Sequence, residues 1–362
     1  MEEEAARFVS RREIYYWKCD RSAAFHGTHD RGMPATEIET DLHRALSRHF
    51  DAQSVKLSAG AGQGNHLTWN AKVDGVSMFV RVENGPEQDR HLAVESTMLD
   101  RVRAIGVPTP EVHGCDASRV DVPFAWQALE RIDAPDLNHW QKQGKLDVAR
   151  IAFDIGAAVA KWQSIELPGF GVPDEKLRGH HRTYPAYFHL QLDRHLAFLV
   201  DGGFLTARQS AEILSAISEH ESLLDLKRGC FVHKDLALWN VLGPPERIVA
   251  FIDFDDAISG DPMDDFSLLG CFHDTAFLAH AFAGYESERS LPDEARRRFW
   301  LHLLRNMIVK AVIRVGAGYF ERSDQFFLIG KGGTGADLKN LTRQRLTTAL
   351  NGLRGDLEID LK

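Results

Sequence analysis

What this 362-residue chain lacks narrows its chemistry before any motif is read. Its four cysteines, Cys19, Cys115, Cys230 and Cys271, are scattered with no C-x-x-C pair. That excludes a disulfide framework and makes a reducing cytoplasm the expected setting. Cys19, His26 and His29 are loosely spaced like metal ligands but have no fourth, so zinc is not expected. No apolar run reaches spanning length, and the charged opening MEEEAARFVSRRE has no apolar leader core; no membrane partner is expected. An excess of basic charge is also missing: 43 Lys and Arg stand against 52 Asp and Glu, a net charge of -9. Nucleic acid is therefore a poor partner, since neutralising phosphates takes clustered cations. Repeats and low-complexity tracts are absent. What is present is 44% hydrophobic content, enough for one large or two moderate cores.

The densest chemistry lies in FVHKDLALWNVLGPPERIVAFIDFDDAISGDPMDDFS, residues 231–267. Val241-Leu242 and Ile248–Ile252 read as strands, with a Gly/Pro turn over 243–247. Pairing the two runs brings Asn240 close to Asp253. An amide oxygen beside a carboxylate is a hard-oxygen site, suited to a magnesium ion that also holds phosphates. Asp235, five residues before Asn240, is then free to orient or deprotonate an attacking hydroxyl. Taken singly, Asp and Asn are turn formers and read as loop chemistry. The whole set in one hairpin favours catalysis.

H-x-D-x-x-x-x-N followed by a strand ending in I-D resembles the catalytic core shared by protein kinases and the aminoglycoside phosphotransferase/choline kinase group. The resemblance implies an α+β, protein-kinase-like two-lobed fold: a small antiparallel sheet lobe with one helix, then a larger helical lobe. It implies Asp235 as the base, Asn240 and Asp253 as metal ligands, and His233 as the histidine that props the loop. ATP and Mg2+ are the implied cofactors.

Such a motif should follow a nucleotide-binding lobe. Residues 57–65, LSAGAGQGN, form a glycine-rich turn in which Gly60, Gly62 and Gly64 let backbone approach phosphate oxygens. Strand-like Leu67–Val73, an Asp74-Gly75 turn and the run Met78–Val82 come next. By the resemblance, Arg81 takes the place of the strand lysine on the phosphates. Glu95 holds it, from a helix whose Val94, Met98, Leu99 and Val102 recur at helical spacing. The alternative for Arg81 and Glu95 is a surface ion pair of little worth. The V-P-x-P-x-V phrase over 107–112 is also similar to the aminoglycoside phosphotransferases. Phe124–Glu130 then reads as the strand leading to a hinge, where backbone near Gln127, Ala128 and Leu129 would meet adenine.

The branch is set by departures from the protein kinases. Ala237 stands where they usually have Lys, and Asp255 follows Asp253-Phe254 where D-F-G has its glycine. Gly260-Asp261-Pro262-Met263-Asp264-Asp265 arrives too soon for a long activation segment. That G-D-P-x-x-D phrase resembles the small-molecule branch, with Asp265 bracing the catalytic loop. A small hydroxylated acceptor is thus expected: an aminoglycoside, an amino sugar or a related metabolite. The acids from Asp255 to Asp265 read either as a solvated rim or as a field favouring a cationic acceptor, with Asp255 and Asp256 as candidate substrate contacts. Lys234 is expected to face solvent. The alternative function, motivated by Arg81, is a non-catalytic nucleotide-binding scaffold.

Three divisions are expected: an N-terminal extension over 1–45, a nucleotide-binding lobe over 46–130 and a helical lobe over 131–362. The extension carries Ile14-Tyr15-Tyr16-Trp17 and leaves a homodimer contact open. The run from Phe299 to Val315 reads as a core helix with a polar stripe of His302, Arg305, Asn306, Lys310 and Arg314. Gly330–Gly335 fails the P-loop pattern, because Gln325 and Gly332 occupy the positions that need Gly and Ser or Thr.

Overall fold

A computed structural model describes residues 35–60, 66–83, 90–323, 326, 328–329 and 333–361. Residues 1–34 of the extension, with the open dimer contact, Gly62, Gly64 and the glycines at 330 and 332 lie outside them. Helix α1 (Ala35–His49) packs Ile38, Leu42 and Leu46 against Trp69, Val80 and Trp126 of the following sheet. Its apolar stripe runs unbroken across the expected boundary at 45/46, so the helix belongs with the sheet and not with the extension.

Strands β1 (Val55–Ala59), β2 (Leu67–Val73) and β3 (Val76–Glu83) precede helix α2 (His91–Ala104), and β4 (Val112–Asp116) and β5 (Ala125–Glu130) follow it. They form one antiparallel sheet in the order β1-β2-β3-β5-β4. Asp74 and Gly75 turn between β2 and β3 with φ of 46° and 92°, the left-handed pair that a tight hairpin asks for. Trp69, Ala71 and Val73 alternate into the α1 core with Met78, Val80 and Val82. Helix α2 instead sends Val94, Met98, Leu99 and Val102 into the larger core, and so joins the two lobes.

The second lobe runs through α3 (Leu137–Lys142), α4 (Val148–Trp162), β6 (Glu166–Leu167), β7 (Phe170–Pro173), β8 (Gly179–His181), α5 (Tyr184–Phe188), α6 (Leu192–Asp201) and α7 (Ala207–Glu219). After these come β9 (Gly229–Val232), β10 (Val241–Leu242), β11 (Ala250–Phe251) and β12 (Ile258–Gly260). Helices α8 (Met263–Gly270), α9 (Thr275–Glu286), α10 (Ala295–Gly316) and α11 (Gly335–Gly355) complete it. Thr206 and Gln209 form the expected capping box at the start of α7. Sheet first and helices after gives the expected α+β two-lobed arrangement. No helix among the described residues is long and apolar enough to cross a membrane.

Candidate active site

Strand β9 ends at Val232 and hands the chain to His233. Strand β12 pairs with β9, placing Ile258 opposite Val232 and Gly260 opposite Cys230. The loop after β9 therefore lies beside the acidic segment before β12, and α8 brings Asp265 back to it. The buried Asp265 carboxylate accepts the backbone N–H groups of His233 and Lys234 at 3.2 Å each, and the indole N–H of Trp162 at 2.9 Å. Burial pushes Asp265 up to about 7 while those N–H donors pull the other way.

His233 is fully buried, and burial lowers its pKa despite the nearby Asp235. The neutral ring has one donor and one acceptor nitrogen. Its Nε2 donates to the Ile252 carbonyl at 3.0 Å, and its Nδ1 accepts from the Asp235 N–H at 3.3 Å. One ring thus links the loop carrying Asp235 to the residue just before Asp253.

Strands β10 and β11 pair Val241 with Phe251 and Leu242 with Ala250, and the Ile252 N–H donates to the Asn240 carbonyl at 3.0 Å. The side chain of Asn240 donates through Nδ2 to the Asp235 carbonyl (2.8 Å) and carboxylate (3.0 Å). Its Oδ1 is left as the atom for a cation. Asp253 adopts a left-handed conformation, φ 65° and ψ 57°, which costs energy in a residue with a Cβ. Its carboxylate lies 3.0 Å from the Arg81 guanidinium. Confinement in the cleft, then the Asp255 charge, raises the pKa of Asp253 against the pull of Arg81. A crowded carboxylate beside an amide oxygen gains from a hard divalent cation, so the donors fit magnesium.

Arg81 on β3 sits opposite Gln127 on β5. Its Nε and NH2 donate to Gln127 Oε1 at 3.1 and 2.9 Å, and Gln127 Nε2 donates to Ser96 Oγ at 2.8 Å. The same guanidinium contacts Glu95, whose Oε1 accepts the Phe254 N–H at 3.1 Å. Arg81 and Glu95 are 6% and 1% exposed, so the surface-pair alternative does not hold. A planar fork serves Gln127, Glu95 and Asp253 at once, which a single ammonium cannot match.

Two expectations shift with this geometry. The Gln127 side chain positions Arg81, and β5 is paired on both edges through Leu129. Backbone there is taken up in ladders, which does not favour Gln127 and Leu129 as adenine contacts. Gly60 donates its N–H to the Thr68 carbonyl at 2.8 Å, and a Cβ there would overlap the Thr68 side chain. Close approach of β1 to β2 is its reason for being glycine.

The acids beyond Asp253 are not a solvated rim. Asp255 is buried against His66, 3.7 Å away, and its carbonyl meets the His91 ring. That removes it from substrate contact. Asp256 stays half-buried next to it. Asp261 pairs with Arg298 at 2.5 Å and His302 at 3.3 Å, and Asp264 pairs with Lys234 and Asn306, each at 2.8 Å. Burial opposes ionisation of both, yet His302 with Arg298, and Lys234 with His302, hold their pKa values below the usual carboxylate range. Lys234 turns inward with φ of 67° instead of facing solvent.

Sequence reasoning missed Lys310 as a site residue: its Nζ lies 3.1 Å from Asp235 Oδ1. The signal was the four-residue spacing of Arg298, His302, Asn306, Lys310 and Arg314, a single face of α10. That face supplies the partners of Asp261, Asp264 and Asp235 in turn.

The model of the phosphotransferase enzyme family matches residues 57–300. Among solved structures, a thermostable mutant of aminoglycoside phosphotransferase APH(4)-Ia, in ternary complex with AMP-PNP and hygromycin B, is 18% identical. It aligns with a TM-score of 0.58 over 86% of this chain and 98% of its own. A Haemophilus somnus 129PT protein described as a candidate fructosamine-3-kinase is 14% identical, with a TM-score of 0.55 over 85% of this chain and 97% of its own. ADP-bound aminoglycoside phosphotransferase APH(2'')-Ib is 16% identical, with a TM-score of 0.53 over 87% and 99%. At these identities the likeness shows a shared kinase-like fold. No curated protein matches the sequence. Matched over more than half its length, the chain belongs to the phosphotransferase enzyme family.

Proposed function

We propose that this protein transfers the γ-phosphoryl group of ATP, with Mg2+, to a hydroxyl of a small molecule. The observation carrying this reading is the convergence of Asp235, Asn240 and Asp253 opposite a buried Arg81. Asn240 Oδ1 and the Asp253 carboxylate would hold Mg2+, which when bound neutralises charge on the phosphates. Arg81, kept in place by Gln127 and Glu95, supplies a fixed cation to the same phosphates. Asp235 orients the acceptor hydroxyl and takes its proton. The acceptor oxygen forms the new P–O bond as the bond to the ADP oxygen breaks. Adenine lies against the linker after Glu130. The nucleotides named with APH(4)-Ia and APH(2'')-Ib, AMP-PNP and ADP, support the nucleotide part of the reading.

The test is ADP release with Mg2+ across a panel of hydroxylated acceptors, in the wild type and in Asp235→Ala. Turnover should vanish in the variant while AMP-PNP binding persists; unchanged ADP release would refute the assignment. The scaffold alternative has Arg81 in its favour, but a degenerate site would be expected to lose one of the three polar residues that remain here.

A further inference from the structure

Beside the catalytic loop lies a small recess of about 30 Å3, bordered by Tyr184, Tyr187, Phe188, Lys234, Arg305 and Lys310 together with Asp264. That is room for about two water molecules, the size of one carboxylate. Lys310 lines the recess and also touches Asp235, so the recess and the proposed base are one side chain apart. Lys234, Arg305 and Lys310 border it with one carboxylate, Asp264, and a second, Asp235, lies 3.1 Å from Lys310. Both oxygens of Asp264 are already engaged, by Lys234 and Asn306. The other acids near the loop are turned to internal partners, Asp261 to Arg298 and His302, and Asp265 to backbone N–H groups. With Lys234 set against Asp264 and Lys310 against Asp235, the cations exceed the carboxylates by one, Arg305, which donates to the Phe188 and Leu190 carbonyls and meets the His195 ring.

We propose that the acceptor is a hydroxy acid whose carboxylate enters this recess and whose hydroxyl then faces Asp235. The inference rests on the phosphotransfer reading and names the substrate class for that same site. An ammonium has three N–H donors, so Lys310 can hold Asp235 and a ligand carboxylate together. It also lies where it would offset the repulsion between an anionic acceptor and the nucleotide phosphates. The rings of Tyr184, Tyr187 and Phe188 cover the apolar side of the incoming carbon chain. An amino sugar would instead bring an ammonium against Lys234 and Lys310, which disfavours it by like charge.

The test measures thermal shifts of the full chain at low salt with Mg2+ and AMP-PNP. The probes are glycerate and gluconate (acids), glycerol and glucitol (neutral), and glucosamine (cationic). The acids should give saturable shifts that the neutral and cationic probes do not, and added salt should weaken them. Lys310→Gln should weaken acid binding about tenfold or more, as loss of a hydrogen bond to a charged group implies, and Lys310→Arg should restore part of it. Folding of each variant is checked by its melting temperature without ligand. Indifference to both acids, a larger shift with glucosamine, or unchanged acid binding in Lys310→Gln would overturn the proposal. Absence of any AMP-PNP shift in the wild type would instead count against phosphotransfer itself.

Discussion

Arg81 shows how much one side chain can be asked to do. Its fork meets Gln127, Glu95 and Asp253 from a buried position, so Arg81→Lys should not behave as a conservative change. It leaves Gln127 Oε1 short of a donor, which costs about 1–3 kcal/mol. The expected result is a lower urea midpoint and a kcat/KM for ATP reduced about tenfold or more. A variant with wild-type stability and kinetics would show that the fork is dispensable. The pairing of Arg81 with Glu95 was legible in the sequence through the family resemblance, which carries both positions over. Lys310 was not, because nothing in a sequence fixes how a helix 75 residues downstream is rotated against the loop. Asn240→Ala tests the metal reading: the variant should need a higher Mg2+ concentration for half-maximal ADP release, and an unchanged Mg2+ dependence would remove Asn240 from the ligand set.

At the scale of elements, the β10–β11 hairpin was readable in outline from its two apolar runs and Gly/Pro turn. Its strands proved only two residues long each, since Gly243 gives its N–H to the Pro135 carbonyl, outside the hairpin. The acidic segment was misread for a related reason. Charge composition counts carboxylates but not their partners, and the partners come from distant α10. Helices α4 and α9 make another contact invisible to periodicity. A Cβ at Gly156 would overlap the Ala281 carbonyl, and one at Gly284 would overlap the Phe153 carbonyl. Gly156→Ala and Gly284→Ala should each destabilise by about 1–3 kcal/mol through overpacking, read as a lower urea midpoint. Neutral or stabilising outcomes would mean that the helices can separate at little cost.

At the scale of the whole molecule, two buried histidines contribute a pH-dependent share of stability. Burial, aided by the Arg345 charge, lowers the pKa of His273 to about 4, and burial also lowers that of His233. Each ring is neutral in the fold but takes up a proton near 6.5 once unfolded. Their contribution to stability is therefore complete above that value and is lost as pH falls through the folded-state value. Asp265, pushed up to about 7 in the fold, gains stability as pH falls over the same range, so the histidine share is read as a difference: the margin in melting temperature of the wild type over His273→Gln should narrow as pH falls from about 6.5 towards 4. A margin independent of pH over this interval would contradict it. The lobes also meet through ionic and hydrogen-bonded contacts, Arg81 with Asp253 and Glu95 with the Phe254 N–H. On the proposed function, a cation at Asp253 would compete for the same oxygens and so couple nucleotide entry to the seating of the two lobes.

The four-residue stripe of α10 has a consequence for how such a protein could change its diet. One helix both steadies the machinery and greets the guest, so retuning Lys310 or Asn306 for a new acceptor also disturbs the carboxylates that those residues keep in order. In the aromatic wall opposite, the rings of Tyr184 and Phe188 rest on His302, the partner of Asp261. New preferences should arise first at Tyr187, where a swapped ring reshapes the chamber one step removed from those ion pairs.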